Sequence, residues 1–322
     1  MKQRIIVTGA AGFIGRNIVS MLNERGYKNL LLVDFLGHGE KWKNLVGLQY
    51  EDLLSPTKFL ELVVSGKLSP ADACIHEGAC SATTEKDADY LLENNYHYTR
   101  QLCEWCLRNN TRFVYASSAA TYGDGSLGYS DEDATTPTLA PLNMYGYSKQ
   151  MFDLWALNSG VLDRIVGLKY FNVYGPYEDH KGEMRSLVQK AYHQIKDKSY
   201  IELFKSHNPD YRDGEQKRDF IYVRDAAQVT LHFALDTTVG GLFNCGTGQA
   251  RTWIDLANAL FTAMKLKPDI RFVEMPEILQ GKYQYFTQAN GEKLATVGGY
   301  TRPFTSIEDG VLDYVKTHLA KS

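Results

Sequence analysis

Short apolar runs alternate with helix-period stretches over the first third of the chain. Ile5-Ile6-Val7, Leu30 to Val33 and Ala73-Cys74-Ile75 are unbroken apolar runs, and the stretch after the first predicts a helix from about Gly12 to Arg25. Unbroken apolar strands separated by helices build a parallel sheet that is covered on both faces. Phe113 to Ser117 and Ile165 to Tyr170 continue the pattern. Between them Met151, Phe152, Leu154 and Trp155 predict a helix over Lys149 to Asn158. Six strands are expected by residue 170. After Asn172 the texture changes to Gly/Pro-punctuated loops, Tyr174-Gly175-Pro176, His180-Lys181-Gly182 and Asn208-Pro209-Asp210, which predict a second, smaller lobe. Phe220 to Val223 and Leu242 to Asn244 read as strands through which the later chain partly returns to the first sheet. The expected fold is α/β, with residues 1–171 forming a doubly wound parallel sheet, rejoined by parts of 216–250, and residues 172–322 a smaller α/β domain.

Composition narrows the class. The 322 residues carry 35 Lys and Arg against 38 Asp and Glu, a net charge of −3 with no block of one sign, so neither nucleic acid nor an anionic membrane is an expected partner. Hydrophobic residues at 44% and charged residues at 23% match a folded chain and exclude disorder. No apolar run approaches the roughly 18 residues of a membrane span. The first residues run straight into an apolar strand without a signal segment, so the expected location is the cytoplasm. Five sparse cysteines read as reduced thiols, and Cys103 with Cys106 as buried thiols in a helix. Neither they nor the eight histidines show ligand spacing, and no metal is expected.

Gly9-Ala10-Ala11-Gly12-Phe13-Ile14-Gly15 follows a β-branched strand and opens a helix, the context in which glycines let the backbone approach a pyrophosphate at a helix N-terminus. Asp34 ends the second strand, where a carboxylate accepts hydrogen bonds from an adenosine ribose. Together they predict a dinucleotide site on a Rossmann-like sheet. Tyr145 and Lys149 are four residues apart and share a helix face. A nearby ammonium favours the phenolate, which would bring the tyrosine into range to exchange a proton with a substrate alcohol during hydride transfer. The same spacing recurs at Tyr177/Lys181 and Tyr192/Lys196, and about one or two copies are expected by chance among so many tyrosines. Only the first copy precedes a well-patterned helix and has a strand-end serine pair, Ser117-Ser118, upstream. A hydroxyl there can hold the reacting oxygen.

With these three motifs in order the chain resembles the extended short-chain dehydrogenase/reductase superfamily. His76-Glu77-Gly78-Ala79-Cys80-Ser81, Asn94-Asn95-Tyr96, Tyr170 to Pro176, His180-Lys181-Gly182, Lys217-Arg218-Asp219-Phe220 and Tyr285 to Ala289 carry a narrower likeness, to the ADP-L-glycero-D-manno-heptose 6-epimerases, across nearly the whole chain. That resemblance implies an isomerase of lipopolysaccharide core synthesis. It would invert C6 of the heptose on a bound NADP that is reduced and reoxidised within each turnover, in a homo-oligomer, typically a pentamer. It implies Tyr145 and Lys181 as acid/base groups on opposite sides of the sugar, Lys149 as support for Tyr145 and the nicotinamide ribose, and Ser118 on the reacting hydroxyl. Gly9, Gly12, Phe13, Ile14, Gly15, Asp34, Phe35, Lys41, Asn94, Val173 and the stretch Glu77, Gly78, Ala79, Cys80, Ser81 fall to the cofactor, with Lys149 and Lys181 touching it too. Asn172, Lys190, Phe204, Arg218 and Tyr283 fall to the nucleotide-sugar, Arg218 on the diphosphate.

A second acid/base group has its own logic. Inverting an unactivated C–H centre needs hydride removal, rotation of the resulting carbonyl and hydride return to its other face, and one fixed group serves one orientation best. A lysine serves if a desolvated pocket lowers its pKa. Against that, a lysine in a Gly/Pro loop is an ordinary surface cation, Asn172 a strand cap, Tyr283 a core residue and Arg218 beside Asp219 a surface ion pair. The chain departs from the family at the ribose. Phe35 follows Asp34 where the family has Asn, and Pro56 falls at the second lysine position, leaving Lys41, with Lys43 as a substitute, to hold a 2′-phosphate. NADP is the first expectation and NAD its rival. Lys190 replaces a substrate-side His, and the Ser206 to Glu215 loop matches poorly. The competing functions are a UDP-sugar 4-epimerase and a non-catalytic dinucleotide sensor. A 4,6-dehydratase would carry Asp-Glu where Ala119-Ala120 stand.

Overall fold

The structure is a computed structural model and describes residues 3–277 and 283–321. Its strands are β1 (Ile5–Thr8), β2 (Leu30–Val33), β3 (Asp52–Leu54), β4 (Ala73–His76), β5 (Arg112–Ser118), β6 (Ile165–Tyr170), β7 (Asn172–Tyr174), β8 (Ile201–Phe204), β9 (Lys217–Tyr222), β10 (Gly241–Cys245), β11 (Ala250–Thr252) and β12 (Ile270–Val273). The helices are α1 (Phe13–Glu24), α2 (Pro56–Val64), α3 (Ala88–Leu91), α4 (Tyr98–Arg108), α5 (Met144–Asn158), α6 (Leu187–Lys198), α7 (Val223–Leu231), α8 (Trp253–Met264), α9 (Glu292–Thr296) and α10 (Ile307–Thr317).

Seven strands form one sheet in the order β10-β6-β5-β4-β1-β2-β3, every neighbouring pair parallel. Residues of β1, β2, β4 and β6 are buried throughout, as unbroken apolar runs require when helices cover both faces. One face packs on α1 and α7 through Ile18, Val19, Ala226 and Val229, and the other on α2, α4 and α5 through Phe59, Leu102 and Phe152. A third cluster unites α6, α8 and α10 with β8 and β9 around Val188, Leu203, Leu260 and Val311. The later chain adds a three-stranded sheet, β11-β9-β7, and a β12-β8 pair.

The parallel α/β fold and six strands by residue 170 are as the pattern predicts. β3 is the one the pattern leaves unnamed, three residues of which Asp52 is exposed. Leu242 to Asn244 returns to the large sheet beside β6. Phe220 to Val223 does not: β9 pairs with β7 and β11, and it stops at Tyr222, because that residue caps α7 and Val223 is its first helical position.

The order reverses between β1 and β4, whose carboxyl ends open a crevice, the place where ligands bind in open α/β sheets. Among the described residues no helix is long and apolar enough to cross a membrane.

Candidate active site

The crevice deepens into a cavity of about 520 Å³ that runs from the glycine turn to the loop after β7. Gly9 turns with φ +66°, and a Cβ there would stand 2.7 Å from the backbone of Glu77 and Gly78. A Cβ on Gly15 would lie 2.2 Å from the Gly9 carbonyl oxygen. These contacts hold the turn tight under the start of α1, which has no side-chain cap, so its first N–H groups are free for an anion. Gly9, Gly12, Phe13, Ile14 and Gly15 all line the cavity.

Asp34 closes one end. Its Oδ2 accepts from the Ala11 N–H at 2.8 Å, and its Oδ1 from Lys41 Nζ at 2.5 Å, the ammonium also reaching the Phe35 carbonyl at 3.0 Å. Phe35 is exposed, and Lys43 pairs instead with Glu40.

The stretch after β4 is anchored by a buried chain of hydrogen bonds. Thr99 Oγ1 donates to the Asn95 carbonyl, so it accepts from His76 Nε2, which leaves His76 Nδ1 to accept from Thr8 Oγ1 at 2.6 Å. The Gly78 N–H in turn donates to Thr8 Oγ1. Burial drives His76 down to about 3, with the Lys149 charge adding to the effect. Asn95 clamps the same stretch from the far side, bonding both backbone groups of Cys80 and the Ser148 hydroxyl of α5. It sits where the α3–α4 helix widens by a turn, an interruption that recurs at functional sites.

α5 brings Tyr145 and Lys149 to the cavity. Asn143 caps it by accepting from the Gly146 N–H, and Gly146 lets it approach the turn after β5, since a Cβ there would meet the Ala120 carbonyl at 2.7 Å. Tyr145 thereby reaches Ser118, whose hydrogen bond lowers the phenol pKa. Burial outweighs that bond, and the charge of Glu77 adds to it, so Tyr145 stands above the ordinary tyrosine value. Lys149 is not among the groups that shift Tyr145, and its ammonium donates to the Ala116 carbonyl at 2.7 Å. Burial takes Lys149 itself down to about 8. One turn further on, Asp153 accepts from Tyr115 Oη at 2.8 Å, Ser117 Oγ at 2.7 Å and Lys169 Nζ at 2.9 Å, and so locks α5 onto β5 and β6 with every partner buried.

Lys181 comes from the short turn Asp179–Met184 and lines the same cavity, its ammonium 5.2 Å from the centre of the Phe13 ring. Burial lowers its pKa, and Glu178 opposes the shift. Glu178 is fully buried and ties the turn down, accepting from the Ser186 N–H and hydroxyl at 2.5 Å each and from Tyr314 Oη at 3.2 Å.

A family model described as the NAD dependent epimerase/dehydratase family matches residues 5–246. A curated ADP-L-glycero-D-manno-heptose-6-epimerase from Nitratidesulfovibrio vulgaris is 55% identical over 316 residues, 98% of each chain. One from Fusobacterium nucleatum is 46% identical over 327 residues, again 98% of each. The chain belongs to the NAD-dependent epimerase/dehydratase family. The solved ADP-L-glycero-D-manno-heptose-6-epimerase of Helicobacter pylori superposes with a TM-score of 0.81 at 28% identity, covering 98% of this chain and 96% of that one. Like its family, the chain uses a nicotinamide dinucleotide, and the glycine cradle and uncapped helix start fit that group.

In this epimerase-family chain the cavity also takes in Asp34, Lys41, Glu77, Gly78, Ala79, Ser81, Ser118, Asn172 and Val173. The other candidates lie outside its lining. Phe35 and Asn94 border a second groove beside Asp34, and Cys80 is held by Asn95. Lys190 turns away to the carbonyl and carboxylate of Glu183. Phe204 ends β8. Arg218 is no surface ion pair: it is buried, gives its N–H groups to the Lys217 and Gln284 carbonyls, and faces the rings of Trp253 and Tyr283. Tyr283 accepts from Trp253 Nε1 at 2.8 Å, and it is Trp253 that reaches the cavity. Sequence reading missed Trp253, Phe220 and Tyr170 as lining residues. Tyr170 carried a signal, as the last residue of a parallel strand. Trp253 carried none, since only tertiary packing aims the first residue of α8 inward.

Proposed function

We propose that this chain inverts C6 of the heptose in ADP-D-glycero-D-manno-heptose to give ADP-L-glycero-D-manno-heptose. The curated relatives' names give the substrate, and the observation that carries the reading is one cavity lined by Tyr145 on α5 and by Lys181 on a separate loop. A nicotinamide dinucleotide supplies the hydride acceptor and donor. Tyr145 takes the proton of the C6 hydroxyl while Ser118 holds its oxygen. The ketone turns about the C5–C6 bond, and Lys181, made a better proton donor by desolvation, serves the second orientation. Lys149 and the Glu77–Ser81 stretch hold the cofactor end.

NADP is the proposed form, since Lys41 covers one oxygen of the carboxylate that would read a free 2′-hydroxyl. The proposal extends to a dinucleotide-binding domain over 1–171, a substrate-binding domain over 172–322, a cytoplasmic location and a homo-oligomer.

Incubation with ADP-D-glycero-β-D-manno-heptose and, separately, UDP-glucose tests the reading, with chromatography of the epimers and absorbance of reduced nicotinamide. Conversion of the ADP-heptose without net reduction is expected. Conversion of UDP-glucose alone would move the chain to the UDP-sugar 4-epimerases.

A further inference from the structure

Glu77 stands at the carboxyl end of β4, part-buried, with its side chain on the cavity shared by Tyr145 and Lys149. Its Oε1 lies 2.8 Å from the Tyr170 hydroxyl, that hydroxyl 2.7 Å from Thr230 Oγ1, and Thr230 Oγ1 2.8 Å from the Ala226 carbonyl. Three contacts need three hydrogens, and the two hydroxyls supply two. Thr230 donates to the Ala226 carbonyl, which can only accept, so Tyr170 donates to Thr230 and the last hydrogen must come from Glu77. Glu178 is the contrast within the same molecule. Three donors converge on it, so it is satisfied as an ionised acceptor.

We propose that Glu77 is a positioning residue of the reaction cavity, held as a neutral carboxylic acid that donates to Tyr170, and that its ionisation sets how tightly Tyr145 and Lys149 keep their protons. Burial raises the carboxyl to about 7 against the opposing pull of the Tyr170 hydrogen bond and the Lys149 charge, so it changes charge near neutral pH. The titratable groups facing it are Tyr145 and Lys149 from α5, Tyr170 from β6, Cys245 from β10, and His76 and Cys80 on its own segment. His76 stays neutral over this range. When Glu77 ionises, its charge raises both Tyr145 and Lys149. The neutral acid therefore leaves Tyr145 more readily ionised. The inference deepens the reading of Tyr145 given above, but its first readout does not depend on turnover.

Infrared difference spectra between about pH 6 and pH 8.5 are the test. The wild-type protein is expected to lose the carbonyl stretch of a protonated carboxyl across that range, and Glu77→Gln to lack that signal. In the same variant the acid limb of the kcat profile should move down by at least about half a pH unit, with KM little changed. An infrared change identical in both proteins, or an unmoved limb, overturns the proposal. Should Glu77→Gln fail to fold, Tyr170→Phe removes the acceptor and must raise the stretching frequency of the same band; an unmoved band overturns it equally. If ADP-heptose is not turned over, the infrared result still decides Glu77, and only the functional reading falls.

Discussion

His76 is protonated in the unfolded chain below about pH 6.5, whereas in the fold its ring stays neutral down to about 3 because burial, with the nearby Lys149 charge, disfavours the imidazolium. The unfolded state thus binds the extra proton, and stability falls as pH drops from 6.5 towards 3. Between about pH 7 and 5.5 this group should cost about 1 kcal/mol in urea denaturation, and His76→Gln should lose that part of the dependence. An unchanged slope in the variant would remove His76 as the source. Lys41 is a second single-residue case. Its replacement by Ala should weaken NADP binding by about tenfold or more and NAD by less than about threefold, measured by calorimetry. Equal losses for both would exclude Lys41 as the 2′-phosphate reader. Gly9, Gly15, Ser118, Tyr145 and Lys149 were legible because each is fixed by local chemistry: a turn, a strand end, a helical spacing. Arg218, Tyr283 and Lys190 are not among the cavity's lining residues: the first two contact Trp253, which is, and Lys190 is bonded to Glu183.

Elements decide where Lys181 sits. Glycine at 182 takes φ +54°, which permits the turn, but the turn is held by Glu178 before it and Ser186 and Tyr314 beyond it. Glu178→Ala strips those three bonds, so global stability should drop by at least about 2 kcal/mol. Proteolysis within 179–186 should quicken, and turnover should fall more than tenfold while bound dinucleotide is retained. An unchanged cleavage pattern would contradict this role. None of it was readable beforehand, because Glu178 meets Tyr314 across 136 positions of sequence. Strand existence was better marked than strand partnership. The apolar run at Phe220 announced β9, yet its neighbours β7 and β11 are set by a sheet of only three short strands.

At the scale of the molecule, the parallel order places β1 and β4 side by side, and so brings the glycine turn, Glu77 and the start of α5 to one crevice. The later chain adds the Lys181 turn and Trp253 to the lining of that crevice. In the proposed reaction hydride leaves C6 and returns to its other face without entering solvent. ADP-heptose carrying deuterium at C6, turned over in ordinary water and examined by mass spectrometry, tests it directly. The epimerised product is expected to keep its deuterium at C6. Washout of the label into water would contradict it, because the C–H bond would then break by proton removal and Tyr145 would have no hydride transfer to serve.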